Sequence, residues 1–298
     1  MIEFRSPEVS DKQWIYELAS ISNLHSADYS FGSIYCWSHS TTPKIARLGD
    51  RLIMRLCIGG KCMYAYPVGR GDIRPAVELM AEDARSIGSP FIMRSITRPL
   101  LSQIHTFFNS EPVISTNPDS SDYVYLASDL ANLAGKKFHS KKNHVNRFMA
   151  EHQWSFEPIT PENIHACHDF ASHWFIDAES ERGVDYLSEI RAMHNAFDIY
   201  FKAGYDGGII WADGEIAAFT MGELISPDTF VTHFEKASSN INGGYSIINQ
   251  QFAKYLLGKY PELTYINREE DMGIENLRKA KQSYRPVFMV DKYTAIWE

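Results

Sequence analysis

Apolar residues recur along this chain at two spacings, and the alternation between them sketches its elements. Trp14, Ile15, Leu18 and Ile21 lie three to four apart, which predicts a helix over residues 6–23 with that face packed. Residues 26–37 interleave Tyr29, Phe31, Tyr35 and Trp37 with turn formers, as core or a pocket wall would. Apolar runs at 45–48, 51–58 and 63–66, broken at Gly49-Asp50 and Gly59-Gly60, read as an antiparallel meander. A helix over 73–87 stops at Gly88, and a strand covers 91–96. A short helix at 100–108 and a polar break at 112–121 then precede a strand at 123–126.

The same order returns in the second half. After a long helical stretch, a strand at 154–159 and helices at 161–176 and 185–202 lead to a hairpin, 208–211 with 215–224, turning at Asp213-Gly214. A strand at 230–234 comes next, then a helix at 245–257 opened by Asn242-Gly243-Gly244, and strands at 263–266 and 287–290. This predicts an α+β (α/β-like) fold of two similar lobes, each a mixed sheet flanked by helices. The expected divisions are an N-terminal lobe at 1–126, a basic bridging helix at 127–152 and a C-terminal lobe at 153–298.

Composition narrows the class. An apolar content of 44% and a charged content of 22% over 298 residues belong to a globular protein with a substantial core. The net charge of −8 argues against coating nucleic acid by bulk attraction and leaves room for a local basic groove. No apolar run approaches the roughly 20 residues that span a bilayer, and no secretory segment opens the chain, so a cytoplasmic protein is expected. Cys57 and Cys62 flank the Gly59-Gly60 turn and would face each other across two strands, reduced in that compartment. His165, Cys167, His168 and His173 lack paired-ligand spacing, so no metal is expected.

Two charged stretches carry the candidate chemistry. The first, residues 266–286, places Arg268, Glu269, Glu270 and Asp271 directly after a buried strand, where ligands collect in α/β proteins. Ile274, Leu277 and Ala280 then recur at helical spacing, predicting a short helix pressed onto the sheet with Arg278, Lys279 and Lys281 on its other faces. The second stretch gathers Lys136, Lys137, Lys141, Lys142 and Arg147, with Phe138, Val145 and Phe148 as buried anchors. It is either a solvated basic face or a grip for phosphate or another anion.

Together these segments are similar to a known family. Residues 136–148, Lys-Lys-Phe-His-Ser-Lys-Lys-Asn-His-Val-Asn-Arg-Phe, resemble the lysine-rich signature of the C-terminal domain of bacterial phosphatidylglycerol lysyltransferases. Asn267-Arg-Glu-Glu-Asp-Met-Gly273, with Leu277-Arg278, Lys281 and Ser283-Tyr284-Arg285-Pro286, resembles that family's terminal signature, and 29–37 its aromatic segment. The resemblance implies tandem GNAT-like acyl-N-acyltransferase lobes, aminoacyl-tRNA as the donor substrate, tRNA as a partner, and a small-molecule or lipid headgroup acceptor.

Transfer of an acyl group needs a base, charge stabilisation at the carbonyl and a grip on the donor. Glu269 and Asp271 beside Arg268 are candidate bases or orienters, as are His233 and Glu235; His233 reads equally as a satisfied core histidine. Asn242, Gly243 and Gly244 at a helix start can offer N–H groups to a phosphate or oxyanion. Lys136, Lys137, Lys141, Arg147, Arg278, Lys281, Tyr284 and Arg285 are the candidate anion binders. Three readings stay open: an aminoacyl-tRNA-dependent transferase, an acyl-CoA-dependent N-acyltransferase, and a non-catalytic anion-binding module.

Overall fold

The computed structural model describes residues 1–58, 61–182 and 187–297, so the Gly59-Gly60 turn and the expected helix start at 185 lie outside the described residues. Helix α1 (Lys12–Ser22) is followed by short α2 (Phe31–Cys36) and α3 (Ser38–Thr41). Strands β1 (Lys44–Leu48), β2 (Arg51–Ile58) and β3 (Lys61–Ala65) form the expected meander, with β4 (Val68–Gly69) paired to the start of β2. Then come α4 (Arg74–Ser86), β5 (Phe91–Thr97), α5 (Leu101–Ile104) and β6 (Val113–Thr116). The second half runs β7 (Asp122–Leu126), α6 (Ala127–Asn132), α7 (His139–Glu151), β8 (Trp154–Pro158), α8 (Ile164–Arg182) and α9 (Leu187–Ile199). It continues with β9 (Asp206–Ala212), β10 (Glu215–Ser226), β11 (Thr229–Ala237), α10 (Gly244–Lys259), β12 (Tyr265–Asn267), α11 (Glu275–Gln282), β13 (Phe288–Val290) and β14 (Lys292–Trp297).

Two mixed sheets result, ordered β1-β2-β3-β5-β14-β6 and β13-β7-β12-β11-β10-β9-β8. Each holds a parallel pair, β3 with β5 and β11 with β12. The division expected at residues 126 and 152 does not follow the sheets, because the halves exchange strands. Strand β7 sits between β12 and β13 in the second sheet, and β14 returns to lie between β5 and β6 in the first. Trp297 secures that return by stacking on Phe91 at 5.3 Å, with Phe108 edge-on at 5.5 Å. One hydrophobic core runs from Ile15, Phe31 and Met93 into Cys167, Phe197 and Phe219, so the lobes share their interior. Phe138, Val145 and Phe148 anchor the basic stretch in a second core, against α10. That stretch is two helices joined at Leu133 and Gly135, both at positive φ, where a single helix was expected.

At the crossing point only Asp291 separates β13 from β14. Lys292 is buried there and pairs with Asp28 and Asp122 at 2.7 Å and with Glu270 at 3.1 Å. Two further expectations are corrected. Ile274, the residue before α11, is 48% exposed, and the helix turns Lys281 inward. Cys57 and Cys62 are joined as a disulfide across the β2–β3 hairpin, not held as two thiols.

Candidate functional site between β11 and β12

Strands β11 and β12 pair only from Thr229↔Tyr265 to Val231↔Asn267. Beyond that, β11 continues to Ala237 beside β10, while the other chain breaks into the acidic turn. The resulting gap has His233 and Glu235 on one wall and Arg268 and Glu269 on the other. Two side-chain bridges cross it: His233 Nδ1 to Glu269 Oε1 at 2.8 Å, and Arg268 to Glu235 at 2.6 Å.

The turn is held from behind. Asn267 Oδ1 accepts the Glu269 N–H at 2.7 Å, while its amide nitrogen donates to Asp122. Glu269 and Met272 both adopt positive φ, an unfavourable backbone state for such residues that persists where the surroundings enforce it. Lys281 donates to the carbonyl oxygens of Arg268, Glu269 and Glu270 at 2.6, 3.1 and 2.6 Å. An ammonium has three N–H groups, so this leaves Lys281 none for an external anion. Burial, with Arg268 nearby, lowers its pKa to about 8. Asp271 is equally enclosed, accepting from Tyr123 Oη, Arg278 Nε and the Gly273 N–H. The Arg278 guanidinium holds its carboxyl well below the usual range, an unsuitable state for a base working near neutral pH. Arg278 also pairs with Asp119.

Deeper in the gap, a polar chain leads back into the first lobe. His233 Nε2 lies 3.0 Å from Glu223 Oε1, which also accepts the Gly32 N–H at 2.5 Å, while Glu223 Oε2 pairs with Lys12. Residue 32 must be glycine for this contact: a Cβ there would sit 2.4 Å from His233 Nε2. Gly32→Ala is expected to push the ring off both carboxylates, abolishing at least about 90% of transfer activity while the fold persists. Circular dichroism and turnover measured together check this, and full activity in the variant would refute it. Glu223, Lys12 and Gly32 were not singled out from the sequence. The readable signal was Glu223, the one acid inside the apolar run 216–225.

The other end of the gap is aromatic and basic. Tyr284 is buried, with Lys141 Nζ 4.2 Å and the Arg268 guanidinium 5.2 Å from its ring centroid. Burial and the Arg268 charge lower the Lys141 pKa. Gly243 caps α10 with φ +90°, and a Cβ on Gly244 would lie 3.0 Å from both Ala217 O and Ala237 Cβ. Glycine therefore lets the helix start press against β10 and β11. Asn242 is exposed beside it. Of the other basic candidates, Lys137 pairs with Asp129 and Arg147 with Glu151, while Lys136 and Arg285 are exposed. The equivalent parting in the first lobe, between β3 and β5, is filled by Tyr29, whose hydroxyl lies 3.0 Å from Tyr66 O and 3.1 Å from Ser95 O.

Two mixed sheets flanked by helices, each built around a parallel strand pair, define a tandem GNAT-like acyltransferase fold. The chain belongs to the phosphatidylglycerol lysyltransferase C-terminal family, whose model matches residues 19–296. A conserved protein of unknown function from Bacteroides thetaiotaomicron is 34% identical over 100% of both chains, with a TM-score of 0.94. The C-terminal domain of a putative lysylphosphatidylglycerol synthetase from Agrobacterium fabrum shares the fold at 14% identity, covering 97% of this chain and 92% of that one, with a TM-score of 0.70. An uncharacterized protein of Mycoplasmoides gallisepticum is 21% identical over 58% of this chain, and the match spans 55% of that relative. Family and fold support an acyl- or aminoacyltransferase. Among the described residues, no helix is long and apolar enough to cross a membrane, and no His, Cys, Asp and Glu cluster could hold a metal ion.

Proposed function

We propose that this chain moves an aminoacyl group from aminoacyl-tRNA to a hydroxyl or amine acceptor, with the β11–β12 gap as the site. The observation that carries this reading is the gap itself, which sets a carboxylate–imidazole pair a short way from a half-buried guanidinium. Glu269 and His233 supply acid–base groups, and Arg268 with Lys141 supplies positive charge for the donor or the carbonyl oxygen. Lys136 and Lys137, just before α7, and Lys141, in its first turn, extend that charge outward along the RNA end. The family name and the Agrobacterium relative favour a lipid headgroup as the acceptor.

The test is filter binding to charged and uncharged tRNA at several salt concentrations, with transfer assayed in parallel. Binding should prefer the charged form and weaken with salt, and K136A/K137A/K141A should lower the salt slope by up to about 0.9 for each phosphate no longer neutralised. Equal, salt-independent binding of both forms would overturn the donor assignment. One observation favours a second reading. Gly243 at positive φ opens a 16-residue helix at the end of β11, a geometry suited to a pyrophosphate, and so to an acyl-CoA donor. Thermal stabilisation by acetyl-CoA but not by aminoacyl-tRNA would select it.

A further inference from the structure

We propose that the contact between His233 Nδ1 and Glu269 Oε1 carries the proton that the transfer reaction moves, and that Glu223 is the positioning residue that places it there. The inference rests on the acyl-transfer reading above and adds the first lobe's part in it. Both ring nitrogens of His233 face a carboxylate oxygen, at 2.8 Å toward Glu269 and 3.0 Å toward Glu223. A neutral imidazole donates from one nitrogen only. Both Glu223 oxygens face donors, Oε1 the Gly32 N–H and Oε2 the Lys12 amine, so neither is placed to hold a hydrogen of its own for Nε2. Nε2 therefore carries a hydrogen toward Glu223. Nδ1 then either donates to ionised Glu269 or accepts from its protonated carboxyl, and in both cases a proton lies between the two groups.

The neighbours leave this assignment intact. The groups facing the trio are Lys12 from α1, Gly32 and Cys36 from α2, and Tyr205 before β9, while Arg268 is engaged by Glu235. Burial pushes the Cys36 thiol up to about 12 and holds the Tyr205 hydroxyl well above its ordinary value, so both stay neutral. Lys12 faces Glu223, and burial lowers the Lys12 pKa to about 7, so its charge also titrates near neutral pH. Exposure rises along the chain of contacts, from 1% at Glu223 through 4% at His233 to 25% at Glu269, so the mobile proton sits at the end that opens into the gap.

In the reaction, the acceptor hydroxyl or amine attacks the acyl carbonyl. A bond forms from its oxygen or nitrogen to carbon, and the bond from carbon to the donor's ester oxygen breaks. The acceptor's proton passes to the Glu269–His233 pair, and the pair's proton goes to the departing oxygen. The pair ends the cycle as it began, and no other reactant is needed.

The experiment combines kinetics with ring-nitrogen NMR on the full chain. Glu223→Gln should lower kcat by about 100-fold or more with little change in KM. It should also move the alkaline limb of the kcat profile to lower pH, since a negative charge facing the ring is gone. A folded Glu223→Gln protein whose limb does not move overturns the proposal, because a merely structural role alters amplitude alone. The ¹⁵N shifts of His233, assigned by their loss in His233→Gln, should show Nε2 protonated at neutral pH in the wild-type protein. An unprotonated Nε2 overturns the proposal whether or not any variant folds. A wild-type protein that turns over neither aminoacyl-tRNA nor acyl-CoA defeats the functional reading instead, and the nitrogen shifts still decide where the proton lies.

Discussion

A chain cut after Val290 is expected to lose its cooperative fold. The cut removes β14, which is hydrogen-bonded on both sides, to β5 and β6, and is no edge of the first sheet. It also removes Ala295 and Trp297, both buried, and leaves Phe91 and Phe108 facing a cavity. Deleting one large buried aromatic costs about 3–5 kcal/mol, and whole domains are stable by only about 5–15 kcal/mol. The two strand ladders and the Lys292 ion pairs go with it, so the deficit exceeds what the remaining core can absorb. Near-UV circular dichroism and urea titration check the outcome. A truncated chain that unfolds cooperatively at the parent's midpoint would show that the returning strand is dispensable. The same reasoning predicts that residues 1–126 and 127–298, produced separately, each remain unfolded, because each sheet then lacks a strand that the other piece carries.

Replacing Lys292 with Met should cost about 3–5 kcal/mol of unfolding free energy, the usual effect of removing one partner from a buried ion cluster. Lys292 is flanked by Asp28, Asp122 and Glu270, and with it gone Arg94, 3.7 Å from Asp28, and Lys281, which bonds the Glu270 carbonyl, are cations left beside them. Burial already raises the pKa of Asp122 and of Glu270, and without Lys292 both carboxyls should protonate more readily still. Destabilisation should therefore be largest at neutral pH and shrink as the pH falls toward the carboxylate range. Urea midpoints at constant m-value, taken with and without Asp122→Asn in the Lys292→Met background, measure this. Partial recovery in the double variant is expected. A loss below about 1 kcal/mol in the single variant would mean the cluster is not a net contributor.

Local pattern revealed most elements and little of their exchange. The meander, the Asp213-Gly214 hairpin and α10 were legible because turn chemistry and period announce them. Strand β14 was not: Lys-Tyr-Thr-Ala-Ile-Trp is short, and nothing local says that its partners lie near residues 97 and 116. Helix α11 inverted its expected face for a reason that apolar spacing cannot express. Three turn carbonyls need donors, Lys281 supplies them, and satisfying buried polar groups outweighs burying Ile274 and Ala280. His233 invited two readings, core or catalytic, and its position unites them: it is buried, and it is bracketed by two carboxylates. Glu269 and Arg268 came from the charged turn, but Lys12 and Gly32, far upstream in the chain, carried no signal that tied them to it.

The strand exchange also sets an order of events during synthesis. Strands β5 and β6 leave the ribosome long before β14, yet they never touch in the finished sheet, so the first lobe must wait with a strand-wide slot. Two unpaired edges facing that slot are places where another nascent chain can dock. Polar residues on β6, Ser115 and Thr116, and the Ser-, Asn- and Pro-rich segment behind it reduce the attraction of that edge for strangers. Completion of the first lobe is thereby timed by β14, and a pause in translation before residue 292 would lengthen the interval in which a half-built sheet meets the crowded cell.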